Sequence, residues 1–285
     1  MNLVRRLQID PSAIQQRITH FIKDYLDKAQ AKGIVMGMSG GIDSATTAGL
    51  CSIAIGEERV LGVYMPEKET QSTLDYKHAK LLAKKFLFKL EVIDITEVLD
   101  KLYNIIKDYD VKDRISQGNL KARARMIILY YFANHQNRIV VGSSDKSEAM
   151  LGYFTKWGDA ASDIAPIMDL YKTQVRQLAL HLGVPRSIVE KPSTPGLWPG
   201  QTAEKEIGLK YETLDQILYC LSHFIPEETI ANQLHLPIET IGRIKKRWLQ
   251  TEHKRQMPLS IKLQYRTIGK DFRLSSTIDL GDELW

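Results

Sequence analysis

Between Gly37 and Ser44 the chain reads Gly37-Met38-Ser39-Gly40-Gly41-Ile42-Asp43-Ser44, after a short apolar run and before a segment of helical spacing. Adjacent glycines let the backbone turn where side chains would clash. Several N–H groups can then converge on an anion at a helix N-terminus, where the helix dipole favours negative charge. Ser39 and Ser44 add hydroxyl donors. Asp43 would repel a bare phosphate, so its presence calls for a divalent cation, Mg²⁺, between carboxylate and phosphate oxygens. The Gly-Lys-Ser/Thr ending of the Walker A loop is absent. A glycine turn capped by Ser and Asp is the plain structural alternative; the strand before it and the helix after it favour a phosphate cradle.

The surrounding pattern positions this loop. Ile14, Ile18, Phe21, Ile22 and Leu26 give a first amphipathic helix over residues 11–31. Strands and helices then alternate: strand 33–38, helix 43–55, strand 60–64, helix 74–86, strand 90–95, helix 98–106, helix 120–135 and strand 138–142. This order predicts an α/β fold, a Rossmann-like parallel sheet with helices on both faces and ligands at the carboxyl ends of the strands. The glycine loop and the turn Gly142-Ser143-Ser144 are two such ends. Residues 153–163 and 191–208 read as functional loops around a helix at 171–182. Two short helices, joined at Leu236-Pro237, are expected within 226–249. The stretch 258–285 is expected to be partly extended and mobile.

The 285 residues allow one domain with a full core, here read as 1–285 with its core at about 10–260 and a tail at 261–285. Hydrophobic content of 44% and charged content of 26% exclude a disordered or fibrous chain. No apolar run suits a membrane span, and the N-terminal residues lack a signal-peptide core, so a cytoplasmic location is expected. Cys51 and Cys220 are too few and too far apart for a zinc site or disulfide framework. A net charge of +5 suits polyanionic ligands, nucleotides and nucleic acids alike.

Further motifs narrow the choice. Lys121, Arg123 and Arg125 fall on the expected first turns of a helix, an unfavourable place for cations unless an anion answers them. Gly142-Ser143-Ser144-Asp145-Lys146-Ser147-Glu148 follows, then Gly152 to Asp159 with Ser162-Asp163. Leu170 to Val175, Lys191-Pro192-Ser193, Leu197 to Thr202 and His253-Lys254-Arg255 complete the series. The glycine loop resembles that of the ATP pyrophosphatase (PP-loop) enzymes. The whole set, over about residues 10–260, resembles the ammonia-dependent NAD⁺ synthetases.

The resemblance implies amidation of deamido-NAD⁺ (nicotinic acid adenine dinucleotide) by ammonia, with ATP and Mg²⁺, through an acyl adenylate to NAD⁺, AMP and pyrophosphate. It places ATP on Gly37 through Ser44, Ser143, Lys172 and Thr194. It places Mg²⁺ on Asp43 and Glu148, and deamido-NAD⁺ against Arg123, Lys156, Asp163, His253 and Lys254. Lys172 is expected to neutralise the leaving pyrophosphate, and Asp163 to orient ammonium or take its proton. A homodimer is implied, without membrane or specific nucleic-acid partners. No glutaminase domain is visible, which points to free ammonia. Ala203 stands where the family pattern commonly has Asp, and Glu204 is the expected substitute. The competing readings are another PP-loop ligase, such as a tRNA-modifying enzyme, and a nucleic-acid-binding module using residues 226–249, whose second helix carries Lys245, Lys246 and Arg247.

Overall fold

The computed structural model describes residues 3–263 and 265–267. The helices are α1 (Leu3–Arg6), α2 (Pro11–Lys28), α3 (Ile42–Ile55), α4 (Thr73–Phe86), α5 (Thr96–Ile105), α6 (Arg114–Gln136) and α7 (Lys146–Leu151). They continue with α8 (Lys172–His181), α9 (Arg186–Val189), α10 (Ala203–Ile207), α11 (Tyr211–Ser222), α12 (Glu227–Leu234) and α13 (Ile238–Gln250). Four strands, β1 (Gly33–Gly37), β2 (Val60–Tyr64), β3 (Lys89–Val92) and β4 (Arg138–Val140), form one parallel sheet in the order β3-β2-β1-β4. Ile34 pairs with Val60 on one side of β1 and with Ile139 on the other.

Helices cover both faces, so the central strands are buried up to Gly37 at the end of β1, yet the pleat still separates two cores. Ile34 and Met36 of β1 pack with Val60 and Tyr64 of β2 against α2, α3, α4 and α8. Val35, Leu61, Val63 and Val140 pack against α5 and α6. A third core joins α11, α12 and α13 to α1 and α7. The expected tail falls mostly outside the described residues.

Local chemistry sets the boundaries. Pro11 opens α2, and Asp10 accepts the N–H groups of Ser12 and Ala13 at 3.0 and 3.2 Å. Asp94 accepts the Thr96 N–H at 2.8 Å, which turns the chain out of the sheet and ends β3 before the expected residue 95. Asp113 accepts the Ser116 N–H at 3.0 Å and starts α6 six residues before the expected 120. Lys121, Arg123 and Arg125 therefore lie inside the helix, past its first turn. Strand β4 stops at Val140, and Val141 continues only as an isolated bridge to Ile164.

Candidate active site

The carboxyl ends of β1 and β4 are neighbours, and the turns that follow them line one cavity of about 660 Å³. Gly40 has φ +74°, and a Cβ there would fall 2.5 Å from the Asp75 carbonyl oxygen; only glycine lets the loop pass this close to α4. Its carbonyl is 3.3 Å from His78 Nδ1. No side chain caps α3, whose first residues Ile42 and Asp43 line the cavity, so its unpaired N–H groups are left for a ligand. Ser39 Oγ accepts the Gly41 N–H at 3.2 Å and lies 3.1 Å from Ser44 Oγ, fixing both hydroxyls.

Lys172, at the start of α8, is fully buried behind this loop. Its Nζ lies 2.6 Å from Asp43 Oδ2, 2.8 Å from Asp145 Oδ2 and 3.0 Å from Glu148 Oε1. Burial alone would lower its pKa, but Asp145, Asp43 and Glu148 outweigh that and hold it well above the ordinary lysine value. Burial, reinforced by the neighbouring carboxylates, pushes Glu148 well above its ordinary value against the pull of Lys172. Asp145 is raised for the same reason.

Three carboxylates around one ammonium leave an excess of negative charge when ionised. Their ligand atoms lie within 4.8 Å of one another, and Asp43 Oδ1 is buried without a hydrogen-bond partner among the described residues. A divalent cation would satisfy both the orphan oxygen and the charge, so the residues fit Mg²⁺. Asp145 was not a sequence candidate. Its side chain also reads as a helix cap, accepting the Glu148 N–H at 2.8 Å, and spacing alone does not distinguish that task from ligation.

The other sequence candidates divide into groups. Gly37, Met38, Ser39, Gly41, Ile42, Asp43, Ser143, Glu148, Thr194 and Lys254 line the cavity. Gly40, Ser44 and Lys172 lie behind its wall. Arg123, Lys156 and His253 join one another beside it: Arg123 donates to the Lys156 carbonyl at 3.2 Å, and Lys156 Nζ donates to the His253 carbonyl at 2.6 Å. Lys254 Nζ donates to the Gly152 and Phe154 carbonyls at 2.7 and 2.6 Å. Asp163 is not in the cavity wall. It is exposed, with its carboxylate accepting the Val140 N–H at 2.7 Å and the Tyr130 hydroxyl at 3.2 Å.

Like Arg123, the other two cations named on α6 have protein partners. Lys121 is buried between Glu67 and Glu69 at 2.9 and 2.8 Å, and Arg125 Nε donates to the Met65 carbonyl at 3.2 Å. They hold the turn after β2 against the cavity; two carboxylates answer the charge of Lys121, whereas Arg125 also lines the cavity. Near Ala203, Glu204 accepts the Tyr211 N–H at 3.1 Å, whereas the cavity-lining carboxylate is Glu206, which accepts the Tyr153 hydroxyl at 2.6 Å. In the expected helical pair, Ile241 and Ile244 are buried and Lys245 pairs with Glu227 at 2.6 Å. Arg247 enters the cavity wall, with its guanidinium 5.5 Å over the Tyr153 ring. The basic helix thus serves the cavity, and nothing in its contacts favours nucleic acid.

A parallel α/β sheet with an uncapped glycine loop and a buried carboxylate–lysine cluster at its strand ends defines a nucleotide-handling protein of the PP-loop type. The chain belongs to the NAD synthase family, whose profile matches residues 14–258. It is 47% identical over 249 residues to the NH(3)-dependent NAD(+) synthetase of Methanocaldococcus jannaschii, covering 86% of this chain and 95% of that one. It is 41% identical over 262 residues to the protein of the same name from Pyrococcus furiosus, covering 91% and 97%. Among solved structures, it is similar to NMN synthetase from Francisella tularensis, with TM-score 0.79 and 31% identity over 89% of this chain and 99% of that one. It is also similar to the NH3-dependent NAD synthetase of Campylobacter jejuni, with TM-score 0.75 and 30% identity over 89% and 100%.

Proposed function

We propose that this chain is a ligase that joins ammonia to the nicotinate carboxylate of deamido-NAD⁺ at the expense of ATP, giving NAD⁺, AMP and pyrophosphate. The observation that carries this reading is the Lys172 cluster, set directly behind an uncapped phosphate loop in a member of the NAD synthase family. A carboxylate is a poor acyl donor. Its oxygen first attacks the ATP α-phosphorus and expels pyrophosphate; the nitrogen of ammonia then attacks the carbonyl carbon, expels AMP and sheds a proton. Neither step needs an enzyme nucleophile, so positioning and charge neutralisation provide the catalysis.

The loop Gly37–Ser44, with Ser143 and Thr194, would hold ATP, and Lys172 would face charge building on the pyrophosphate. Asp43 and Glu148 would hold Mg²⁺, which when bound neutralises phosphate charge. Arg123, Lys156, His253 and Lys254 form the basic side for the dinucleotide. Asp163, oriented by Val140 and Tyr130, is assigned to ammonium beside that substrate. Arg123 continues along α6 into Ile127 and Tyr131, 62% and 64% exposed, an apolar face that supports a homodimer. Among the described residues no helix is long and apolar enough to cross a membrane. A cytoplasmic location is consistent with that finding.

The test supplies ATP, Mg²⁺ and either ammonium or glutamine, with nicotinate dinucleotide or mononucleotide as the acid. Ammonium with the dinucleotide should give NAD⁺, and glutamine alone should give none. The Francisella structure makes the mononucleotide the second reading. Faster amidation of the mononucleotide would replace the first reading with the second. In the same assay Lys245→Glu with Lys246→Glu should leave turnover within about twofold, because both lie outside the cavity wall. Arg247→Ala should lower it by at least about tenfold through lost contacts in that wall. Equal effects would remove Arg247 from the site.

A further inference from the structure

We propose that Tyr211 and Asp215, one turn apart on α11, are positioning residues that hold Lys172 at its two ends and so couple the C-terminal helical core to the phosphate site. The proposal rests on the ligase reading for its kinetic consequences. Its geometry stands independently. Residues four apart on a helix share a face, and these two are 1% and 0% exposed. The Tyr211 ring lies under the ammonium, with Nζ 5.3 Å from its centroid. Asp215 acts at the other end, on the backbone.

Asp215 Oδ2 accepts the Thr173 N–H at 2.8 Å, and Oδ1 accepts the Ser147 hydroxyl at 2.6 Å. Ser147 Oγ in turn accepts the Lys172 N–H at 3.0 Å. Two of the first N–H groups of α8, which lack partners within the helix, are thereby capped from elsewhere in the chain. A carboxylate at a helix N-terminus is favourable, and here it is fully desolvated. Ser147 directly precedes Glu148 in α7. One carboxylate therefore fixes both helices whose side chains meet at 3.0 Å in the Lys172–Glu148 pair. Tyr211 contributes through its ring, since its buried hydroxyl has no hydrogen-bond partner among the described residues.

This arrangement makes Lys172 stiff. A long flexible lysine would otherwise be free to follow any of its three carboxylates, and a displacement of about 1 Å near the reacting atoms can cost roughly 10² in rate. An ammonium held from both ends presents its charge from behind the glycine loop at one fixed place. Loss of this order should appear in turnover, where charge has developed, and less in ground-state ATP binding.

The test compares wild type with Asp215→Asn, Tyr211→Leu, Tyr211→Phe and Ser147→Ala. It measures kcat and KM for ATP in ATP–pyrophosphate exchange with Mg²⁺ and deamido-NAD⁺, corrected for folded fraction, together with hydrogen exchange at the Lys172 and Thr173 amides. Asp215→Asn should lower kcat by about 10² and KM for ATP by no more than about threefold in either direction, with amide protection lost. Tyr211→Leu should cost about tenfold, whereas Tyr211→Phe should stay within about twofold. Unchanged kcat in Asp215→Asn or Tyr211→Leu would overturn the proposal, as would equal losses in Tyr211→Phe and Tyr211→Leu. Should Asp215→Asn fail to fold, Ser147→Ala decides, with about a tenfold loss expected and full turnover contradicting it. A wild type without exchange activity would refute the ligase reading alone. Amide protection would then settle the positioning claim, and undiminished protection of Lys172 and Thr173 in Asp215→Asn or Ser147→Ala would overturn it.

Discussion

Asp43→Asn should reduce ATP–pyrophosphate exchange by about 10²–10³, because it removes one preorganised charge from the site while keeping the side chain's shape. Asp43 Oδ2 is bound to Lys172 at 2.6 Å, and the orphan Oδ1 is the oxygen open to a cation. An amide gives neither the charge nor two acceptors. Glu148→Gln should behave in the same way. Stability separates this effect from a general folding defect. Three carboxylates share one ammonium, so removing one relieves repulsion and the melting temperature of either variant should not fall. Near-normal exchange at saturating Mg²⁺ would remove the substituted residue from the metal set, whereas a lost fold would mean that it is an architectural partner of Lys172.

Lys172→Met should abolish exchange and destabilise the protein. Breaking a buried ion pair by deleting one partner typically costs about 3–5 kcal/mol, because the remaining charge is left buried and unpaired. Here Asp145, wholly buried, and the largely covered Asp43 and Glu148 would all lose their counter-charge. Protonation of Asp145 and Glu148 offers an escape, which fixes the direction of the pH dependence. Carboxylates with folded pKa raised above the unfolded value bind more protons in the folded state, so stability is present at low pH and declines as pH rises through that raised range. Burial already raises Asp145 and Glu148 in the presence of Lys172. Without it they should rise further. The melting temperature of Lys172→Met should therefore approach that of wild type as pH is lowered from about 8 to 5. A deficit that did not change with pH would show that the carboxylates do not carry the penalty.

The sheet was legible because its signal is local. Apolar runs at Ile34–Met36, Val60–Tyr64 and Ile139–Val141 alternate with helical spacing, and the glycine loop marks where β1 ends. Boundaries slipped where single side chains redirect the backbone, as at Asp94 and Asp113. The glycine loop, Ser143 and Glu148 could be placed on one cavity because strand ends in a parallel sheet converge. The Lys172 cage could not be read that way. Lys172 and Asp43 are far apart in sequence, and Asp145 looks like an ordinary helix cap. The spacing of Tyr211, Leu214, Ile217, Leu218 and Leu221 marks an amphipathic helix. Nothing in that spacing says that Asp215, on its buried face, answers the N-terminus of α8. The partner of Lys121 on α6 is hidden for a related reason, since Glu67 lies in the turn after β2, far away in sequence.

The most direct test follows an oxygen atom. Deamido-NAD⁺ labelled with ¹⁸O on both carboxylate oxygens should be incubated with ATP, Mg²⁺ and ammonium, and the products identified by mass. Attack of the carboxylate on the α-phosphorus, followed by release of AMP from the carbonyl carbon, transfers one label to AMP and leaves one in the NAD⁺ amide, with pyrophosphate unlabelled. Labelled AMP in equal amount to NAD⁺ is the predicted result. Formation of ADP with the label in inorganic phosphate would contradict the account.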